Sequence, residues 1–555
     1  MTMATTGATT GAAANPAMSG AARAGAASSP APLPASAGAG AVRQERAAAA
    51  AAARRAADGG ARVRRGVLAL VALVAGIGAY RLSVLVGELG FWPGSIATLS
   101  GRAILSAAGK VELAPQLAAF PPVPYLLLFL AEWIARPLGL SAVGLASGVL
   151  AGGLLAIYLV ALRRAGYPWF AVAMLALLFA LNPLVLHAVA RGPQTMLLLW
   201  GVWMVGMGMF GFRATSGVNA LLSLSLGLAL MALTSERGLA VALASVPFLL
   251  LAVPPDLRQR AYGSVYLVLL FPLIFAVLFM VAVSAMLLGG PFAFITPDML
   301  QMARWSDRPL WLVLAAGMTA VLGSAAIGVG LIVRSGRRRP VQAATAALLG
   351  TAGLAVVLSA LLGLAESALH ALTVVAAATA VFSVHWPREP HRTARVTLLL
   401  ALGFAVSASF IAADQRGRAD ARGTLLGLAQ REHGPGALAL GRWLRGVDGV
   451  MLHGLAHPEV VAARGSAGGL LTSTTPAFQV SLLSQRIFAD HVVARVHRPG
   501  NSDDAISRAM PDLYRQGPPG YRLAYDSDGW RVWSRHSAQH SAQQSAQRWA
   551  QERIR

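Results

Sequence analysis

Apolar residues form blocks of about 20 along the middle of the chain, and short charged or proline-rich stretches separate these blocks. A helix of that length crosses about 30 Å of hydrocarbon. Because lipid offers no partner for backbone polar groups, helices are the expected form of such blocks. The pattern therefore predicts an α-helical polytopic membrane protein with about eleven transmembrane helices. The predicted spans are 66–86, 141–162, 168–190, 194–212, 218–235, 238–255, 262–289, 310–333, 341–364, 367–386 and 396–413.

Composition supports this fold class and excludes several functions. Hydrophobic residues make up 56% of the chain and charged residues 12%, and the mean hydropathy is +0.60. The net charge of +23 lies mostly in short runs beside the spans, which is typical of cytoplasmic loops and not of a nucleic-acid-binding protein. The absence of cysteine excludes disulfides, thiolate metal sites and a cysteine nucleophile. The abundance of Ala, Gly and Arg indicates a bacterial source with GC-rich DNA, and hence the inner membrane.

The basic residues also predict the orientation of the chain. With the N-terminus in the cytoplasm, they collect on the cytoplasmic side of alternate spans. These residues are Arg163, Arg164, Arg213, Arg258, Arg260, Arg334, Arg337, Arg338, Arg339, Arg388, Arg392 and Arg395. If 125–134 were a further span, Arg337–Arg339 would lie outside the cytoplasm. We therefore interpret 125–134 as a surface helix within a first periplasmic loop, 87–140.

The ends of the chain differ from the middle. Residues 1–65 are rich in Ala, Gly and Arg and predict a disordered cytoplasmic tail. Residues 66–413 form the predicted membrane domain, and 414–535 predict a periplasmic α/β domain followed by a flexible tail, 536–555. Within the α/β domain, short strand-like and helix-like runs alternate at 437–440, 449–452 and 491–496. A helix is expected at 503–514, and 526–529 predicts a hairpin turn between 521–525 and 530–533.

Several short motifs lie near the predicted periplasmic face. An acidic residue, Glu88, follows the first span, and a Pro-Pro-x-x-Tyr-Leu-Leu-Leu segment occupies 121–128. Asn182 and Pro183 come late in the third span, and the polar turn Arg-Gly-Pro-Gln follows at 191–194. Together with a soluble domain after the last span, these features resemble the C-type (GT-C) superfamily of integral membrane glycosyltransferases. The resemblance covers residues 66–240 in sequence and the remainder in layout.

The resemblance implies an inverting glycosyltransferase that takes its sugar from a polyprenyl phosphate. In that family an acidic residue of the first loop assists the acceptor nucleophile, and basic residues hold the lipid phosphate. Transfer from a phosphate leaving group needs a carboxylate for the acceptor proton and cations for the developing charge. The implied base is Glu88, with Glu112 second. The implied substrate-binding residues are Arg102, Lys110, Arg191, Gln194, Arg237, Arg304 and Arg308.

The sequence also departs from the family pattern. Glu88 is followed by Leu89, where the family often has a second acid, and Gln194 stands where an acid is common. A non-catalytic accessory subunit of the same architecture, with a partner protein in the cell envelope, is therefore an alternative. A lipid or polysaccharide transporter is a further alternative, although few ionisable residues lie at mid-membrane depth. Glu88 is also compatible with a simple boundary role at the headgroup level, and Glu236 with Arg237 is compatible with a local ion pair.

No motif predicts a tight metal site or an ATP site. A divalent cation that accompanies the phosphate is compatible with the sequence, but no residue pattern requires it. The glycine-rich run at 206–211 lies within a span and predicts close helix packing.

Overall fold

The structure of the protein is a computed structural model that describes residues 66–89, 92, 94–119, 121–293, 328–334, 339–361, 368–386, 394–399, 401–402, 435–496 and 504–535. These residues belong to one compact unit of the chain, Gly66–Arg555. The predicted tails 1–65 and 536–555 lie outside the described residues. The same holds for Arg304, Arg308 and most of the predicted spans 310–333 and 396–413.

Helices form most of the described chain before residue 435. Their bounds are α1 Gly66–Glu88, α2 Gly94–Ala107, α3 Leu113–Ala118, α4 Pro122–Ala135, α5 Ala142–Arg164, α6 Trp169–Ala180, α7 Pro183–Ala190, α8 Pro193–Thr215, α9 Val218–Thr234, α10 Glu236–Ser245, α11 Leu249–Ala252, α12 Pro255–Leu287, α13 Arg339–Leu361 and α14 Ala368–His385. Short 3₁₀ turns at Arg136–Leu138 and Val246–Phe248 join some of them.

Five of the described helices are long and apolar enough to cross a membrane. They are α1, α5, α8, the segment Gly263–Leu287 of α12 and the segment Arg339–Leu358 of α13. The pair α6 and α7 adds a sixth if it is counted as one bent span. The chain is therefore a helical protein with the apolar helices of a membrane protein. The expected count of about eleven includes segments outside the described residues and stays a prediction.

Prolines interrupt the predicted spans 168–190 and 238–255. In the first, α6 and α7 meet at an angle of 53°. Asn182 Oδ1 accepts a hydrogen bond from Leu184 N at 2.9 Å, and Pro183 occupies the first turn of α7, so the dipeptide starts a new helix. In the second, Pro247 lies in the 3₁₀ turn after α10. Each of these predicted spans therefore consists of more than one helix, because a proline interrupts the helical hydrogen bonds there.

The C-terminal α/β region, residues 435–496 and 504–535, contains a small mixed sheet. Its elements are α15 Pro435–Trp443, β1 Val450–Met451, α16 Pro458–Arg464, β2 Leu470–Leu471, α17 Pro476–Ser484, β3 His491–Arg495, α18 Ala505–Ala509, α19 Leu513–Gln516, β4 Tyr521–Ser527 and β5 Trp530–Arg535. The strand order is β2-β1-β3-β5-β4. Strand β1 pairs in parallel with β2 and β3, whereas β5 pairs antiparallel with β3 and β4.

Local sequence explains parts of this region. The hairpin at 526–529 is confirmed: Asp528 and Gly529 have φ angles of 50° and 78°, and β4 pairs with β5 on either side of them. Positive φ at both central positions is the geometry that matches strand twist. The run 437–440 lies in helix α15. The expected helix 503–514 was wrong in its length, because α18 ends before Pro511 and a short α19 follows.

Candidate functional site

The turns that contain several predicted site residues meet at one end of the helix bundle. Val86, near the end of α1, packs against Ala190 at the end of α7. Ala190 directly precedes Arg191 and the 191–194 turn. Gln194 Nε2 donates to the carbonyl of Thr234 at 3.2 Å, which brings in the turn before Glu236 and Arg237. The structure therefore brings the Glu88, Arg191–Gln194 and Arg237 turns together.

The two predicted acids occupy different places. Glu88 is the last residue of α1 and its side chain is exposed, while its backbone carbonyl accepts a hydrogen bond from the Arg442 guanidinium. Glu112 is exposed just before α3. The 14 residues of α2 lie between them in sequence and extend over about 20 Å. Glu88 thus lies at the end of α1 beside the Arg191 turn, and Glu112 follows the other end of α2.

The predicted cations also differ in environment. Arg191 is buried at the end of α7, with only 6% of its surface exposed, and Arg237 is half-buried in the first turn of α10. Arg102 is half-buried on α2, where burial lowers the pKa of its guanidinium and the nearby Tyr125 opposes that shift. Lys110 lies beyond α2, and its backbone carbonyl accepts hydrogen bonds from Thr472 and Thr474.

Gln194 has a structural contact of its own. Its amide nitrogen donates to the Thr234 carbonyl at the end of α9. A carboxylate could not make this contact, because an ionised acid has no hydrogen to donate. The Gln194 amide therefore joins α8 to the α9–α10 turn.

Helix α2 covers this end of the bundle and is buried along most of its length. Ile96, Leu99 and Ala103 pack against α4 and α5. Trp92, just before α2, folds back on α1 and donates from Nε1 to the Ser83 carbonyl at 3.1 Å. At Gly192, an added Cβ would lie 3.3 Å from Ile96. Helix α2 is thus fixed against the same elements that carry Glu88 and Arg191.

Helix α4 has one buried face and one exposed apolar face. Tyr125, Leu128 and Ala131 are buried, and the Tyr125 hydroxyl donates to Ser106 Oγ of α2 at 2.6 Å. The exposed residues Leu126, Leu130, Trp133 and Ile134 follow helical spacing. An exposed apolar stripe of this kind suits a helix that lies at the membrane interface. On the buried side, burial raises the pKa of Glu132, and the nearby Arg136 opposes this shift.

A second polar cluster lies at the carboxyl ends of β1 and β3. Asp504 caps α18, accepting from Ile506 N at 3.1 Å and from Ser507 Oγ at 2.6 Å. His457 Nε2 lies 3.7 Å from Asp504 Oδ2, and His457 Nδ1 lies 3.7 Å from Glu459 Oε1. His457 also packs edge-on against Trp530, with ring centroids 4.8 Å apart.

The remaining members of this cluster are His453 and Arg495. His453 Nδ1 accepts from Ala505 N at 3.1 Å, so its ring proton lies on Nε2 when the ring is neutral. Arg495 lies over the Trp530 ring at 5.1 Å and 3.5 Å from His457 Nδ1. The sequence pattern alone did not predict this cluster. The available signal was the spacing of His453 and His457, which follow a short apolar strand by a few residues.

The ionisable groups of the second cluster shift one another's pKa values. Burial opposes a charge on His457, but hydrogen bonds and Coulombic attraction from Asp504 and Glu459 raise the pKa of this imidazole above its usual value. Burial would raise the pKa of Asp504, yet its contacts with His457 and Ser507 lower it well below the usual range. The pKa of Glu459 is lowered in the same way by His457. The arrangement favours an imidazolium between two carboxylates.

The described ranges contain no group of three or more His, Asp or Glu side chains able to hold a metal ion. The first site brings the end of α1, which carries the exposed Glu88, near the turns that carry the buried Arg191 and the half-buried Arg237. No protein-family model matches the chain, and a comparison with curated proteins finds no significant match.

Proposed function

We propose that this chain is a bacterial inner-membrane glycosyltransferase of the C type. It would move a sugar from a polyprenyl phosphate to a lipid, glycan or protein acceptor on the periplasmic side. The supporting observation is the meeting of the Glu88, Arg191–Gln194 and Arg237 turns at one end of the bundle. Two loop helices, α2 and α4, adjoin this end, and the apolar face of α4 suits the membrane surface.

The proposed reaction is a single displacement at the anomeric carbon. The acceptor oxygen forms a bond to that carbon while the bond from carbon to phosphate oxygen breaks, and attack from the opposite side inverts the configuration. Glu88 takes the acceptor proton, and polyprenyl phosphate leaves with the bonding electron pair. Arg191 and Arg237 stabilise the charge that develops on the phosphate. The exposed carboxylate of Glu88 is accessible to an acceptor that arrives from water.

Glu88→Gln tests this proposal, because it keeps the shape of the side chain and removes the base. The purified full-length protein in lipid nanodiscs is supplied with polyprenyl-phosphate-linked hexoses and pentoses together with lipid, glycan and protein acceptors, and release of polyprenyl phosphate is measured. We expect turnover to fall by about 10²- to 10⁴-fold, with donor binding retained. Glu112→Gln is the matched control and should keep turnover within about twofold, because Glu112 follows the other end of α2 and does not adjoin the Arg191 turn. Equal turnover in Glu88→Gln and wild type would refute the role of Glu88.

A second candidate function is that of a non-catalytic subunit with the same architecture. The observation in its favour is the Gln194 amide, which makes a structural contact with Thr234 where the family commonly has an acid. This alternative predicts that the wild-type protein neither binds nor turns over any of the polyprenyl-phosphate donors. Binding of a donor together with Glu88-dependent release of phosphate would exclude it.

A further inference from the structure

The C-terminal α/β region contacts both α2 and the segments on either side of it. Before α2, Arg442 of α15 donates to the carbonyl of Glu88, the last residue of α1. In the middle, Gly101 lies against Pro458, the first residue of α16. Beyond its C-terminal end, Thr472 and Thr474 donate to the Lys110 carbonyl at 3.2 and 2.6 Å.

The contact is close enough to restrict residue size. A Cβ added at Gly101 would lie 1.9 Å from the Pro458 carbonyl oxygen, and one added at Gly454 would lie 3.0 Å from Leu105 Cδ1. Ile104, Leu105 and Val111 share one hydrophobic core with residues of α16 and the sheet. The first-loop helix is therefore part of the core of the C-terminal region.

Helix α2 lies at the edge of the sheet where the parallel strands end. Gly454 follows β1, and Thr472 and Thr474 follow β2, so α2 packs on the carboxyl-end edge of the parallel strands. In open α/β sheets this edge is where ligands usually bind. In this protein a helix of the same chain occupies part of that edge.

We infer that the C-terminal α/β region is a positioning clamp. By holding α2 and the Glu88 carbonyl, it keeps the end of α1 in register with the Arg191 turn; this inference rests on the proposed function. The region contributes backbone and side-chain contacts to α2. The positioning residues are Arg442, Gly101, Thr472 and Thr474. Helix α2 also contacts the bundle turn through Ile96 and α4 through Ser106, so a shift of α2 moves the site.

Loosening the clamp should reduce turnover more than donor binding. A displacement of about 1 Å at reacting groups costs about 10²-fold in rate, whereas the arginines that hold the phosphate lie on α7 and α10. We expect Thr472→Val with Thr474→Val to lower kcat by about tenfold to 10²-fold with KM for the donor nearly unchanged. Gly101→Val should have a larger effect, because its side chain displaces Pro458. Gly78→Ala is the control, since a Cβ at Gly78 meets no atom within 4 Å.

An engineered disulfide distinguishes a positioning role from a merely structural one. The chain has no cysteine, so Leu105→Cys with Gly454→Cys forms the only possible intramolecular disulfide. In the Thr472→Val, Thr474→Val background, oxidation of this pair should restore kcat toward the wild-type value, and reduction should remove the effect. Each single-cysteine variant is the control. The full-length protein in nanodiscs is used throughout, and disulfide formation is scored by gel mobility.

The outcomes separate the two proposals. If the wild-type protein turns over no donor while the Leu105→Cys, Gly454→Cys variant forms its disulfide rapidly, the proposed function is contradicted and the contact of α2 stands. Wild-type turnover with equal kcat in Thr472→Val, Thr474→Val and Gly101→Val overturns the clamp. A rise in KM at unchanged kcat, or a failure of the disulfide to restore kcat, also overturns it.

Discussion

His457 is a buried histidine that interacts with carboxylates from two loops of the C-terminal region. It precedes α16 and lies between Asp504, which caps α18, and Glu459. Only 3% of its surface is exposed. Because its pKa is raised in the folded protein, its stabilising effect is complete below about pH 6.5 and is lost as pH rises through the raised value. Asp504 and Glu459 have lowered pKa values, so their contribution is present above about pH 4.3 and is lost as pH falls.

The pH dependence of stability should therefore change in His457→Gln. Wild-type protein should lose stability as pH rises through the raised His457 pKa, and the variant should lose less over that range. Thermal unfolding of the full-length protein in detergent, measured from pH 5 to 9, checks this. His491→Asn is the comparison, and its effect on the pH dependence should have the opposite sign. Burial lowers the pKa of His491, with Asp490 opposing this shift. This residue therefore reduces stability as pH falls below about 6.5. Parallel curves for His457→Gln and wild type would contradict the expectation.

Removal of the Asp504 carboxylate should be costly. Its oxygens accept hydrogen bonds from Ile506 N and Ser507 Oγ and lie near His453 and His457. Taking one partner from a buried ion pair typically costs about 3–5 kcal/mol. Asp504→Ala should lower the unfolding free energy of the C-terminal region by that order, as measured by hydrogen exchange in β3. Asp512→Ala, at the start of α19 without a side-chain cap bond, is the control and should cost less than about 1 kcal/mol.

At the scale of elements, glycines bring α8 close to its neighbours. A Cβ at Gly208 would lie 2.7 Å from the backbone nitrogen of Leu224 in α9, and one at Gly206 would lie 2.9 Å from Val381 in α14. The prediction that the 206–211 run serves helix packing is confirmed. Interfaces of this kind let apolar helices gain van der Waals contact where lipid weakens the hydrophobic effect.

Gly208→Leu should therefore separate α8 from α9. Overpacking of a close interface costs about 1–3 kcal/mol, and thermal unfolding in detergent should show a lower midpoint. Gly353→Leu is the matched control within a membrane helix, because a Cβ at Gly353 meets no atom within 4 Å. An equal loss in both variants would indicate that the effect is not specific to the α8–α9 contact.

The sequence predicts those elements whose signal is local. The apolar blocks predict α1, α5 and α8, and Asp528 with Gly529 predicts the hairpin, because each pattern acts over a few residues. The contact of α2 with the C-terminal region was not predictable in this way, since Lys110 and Thr472 are 362 residues apart. The His457 cluster was missed for the same reason: Asp504 reaches it only after β3 has crossed to the other side of β1. Among the site residues, the meeting of the Glu88 and Arg191 turns likewise depends on packing between distant helices.

At the scale of the whole molecule, two arginines bind turn carbonyls at the end of the bundle away from Glu88. Arg163 donates to the Tyr167 carbonyl at 2.5 Å and lies over the Trp169 ring at 4.5 Å, and Arg213 donates to the Val253 carbonyl. Arginines that hold turn carbonyls next to apolar helices are typical of cytoplasmic loops. Glu88 and the C-terminal region lie together away from these residues in the predicted topology.

That topology is testable because the protein lacks cysteine. Ser484→Cys lies on the exposed end of α17, and Thr215→Cys lies on the exposed end of α8. A membrane-impermeant maleimide should label the first variant in spheroplasts and the second only after the membrane is permeabilised. The opposite result would place the C-terminal region in the cytoplasm and would exclude a periplasmic reaction.

The contact between α2 and the C-terminal region also determines the order in which the protein can be assembled. A ribosome at about 5–20 residues per second needs roughly 20–70 s to proceed from Lys110 to Thr472, which are 362 residues apart. During that interval Ile104, Leu105 and Val111 have no sheet to pack against. The newly made first loop therefore waits at the membrane surface with apolar side chains uncovered.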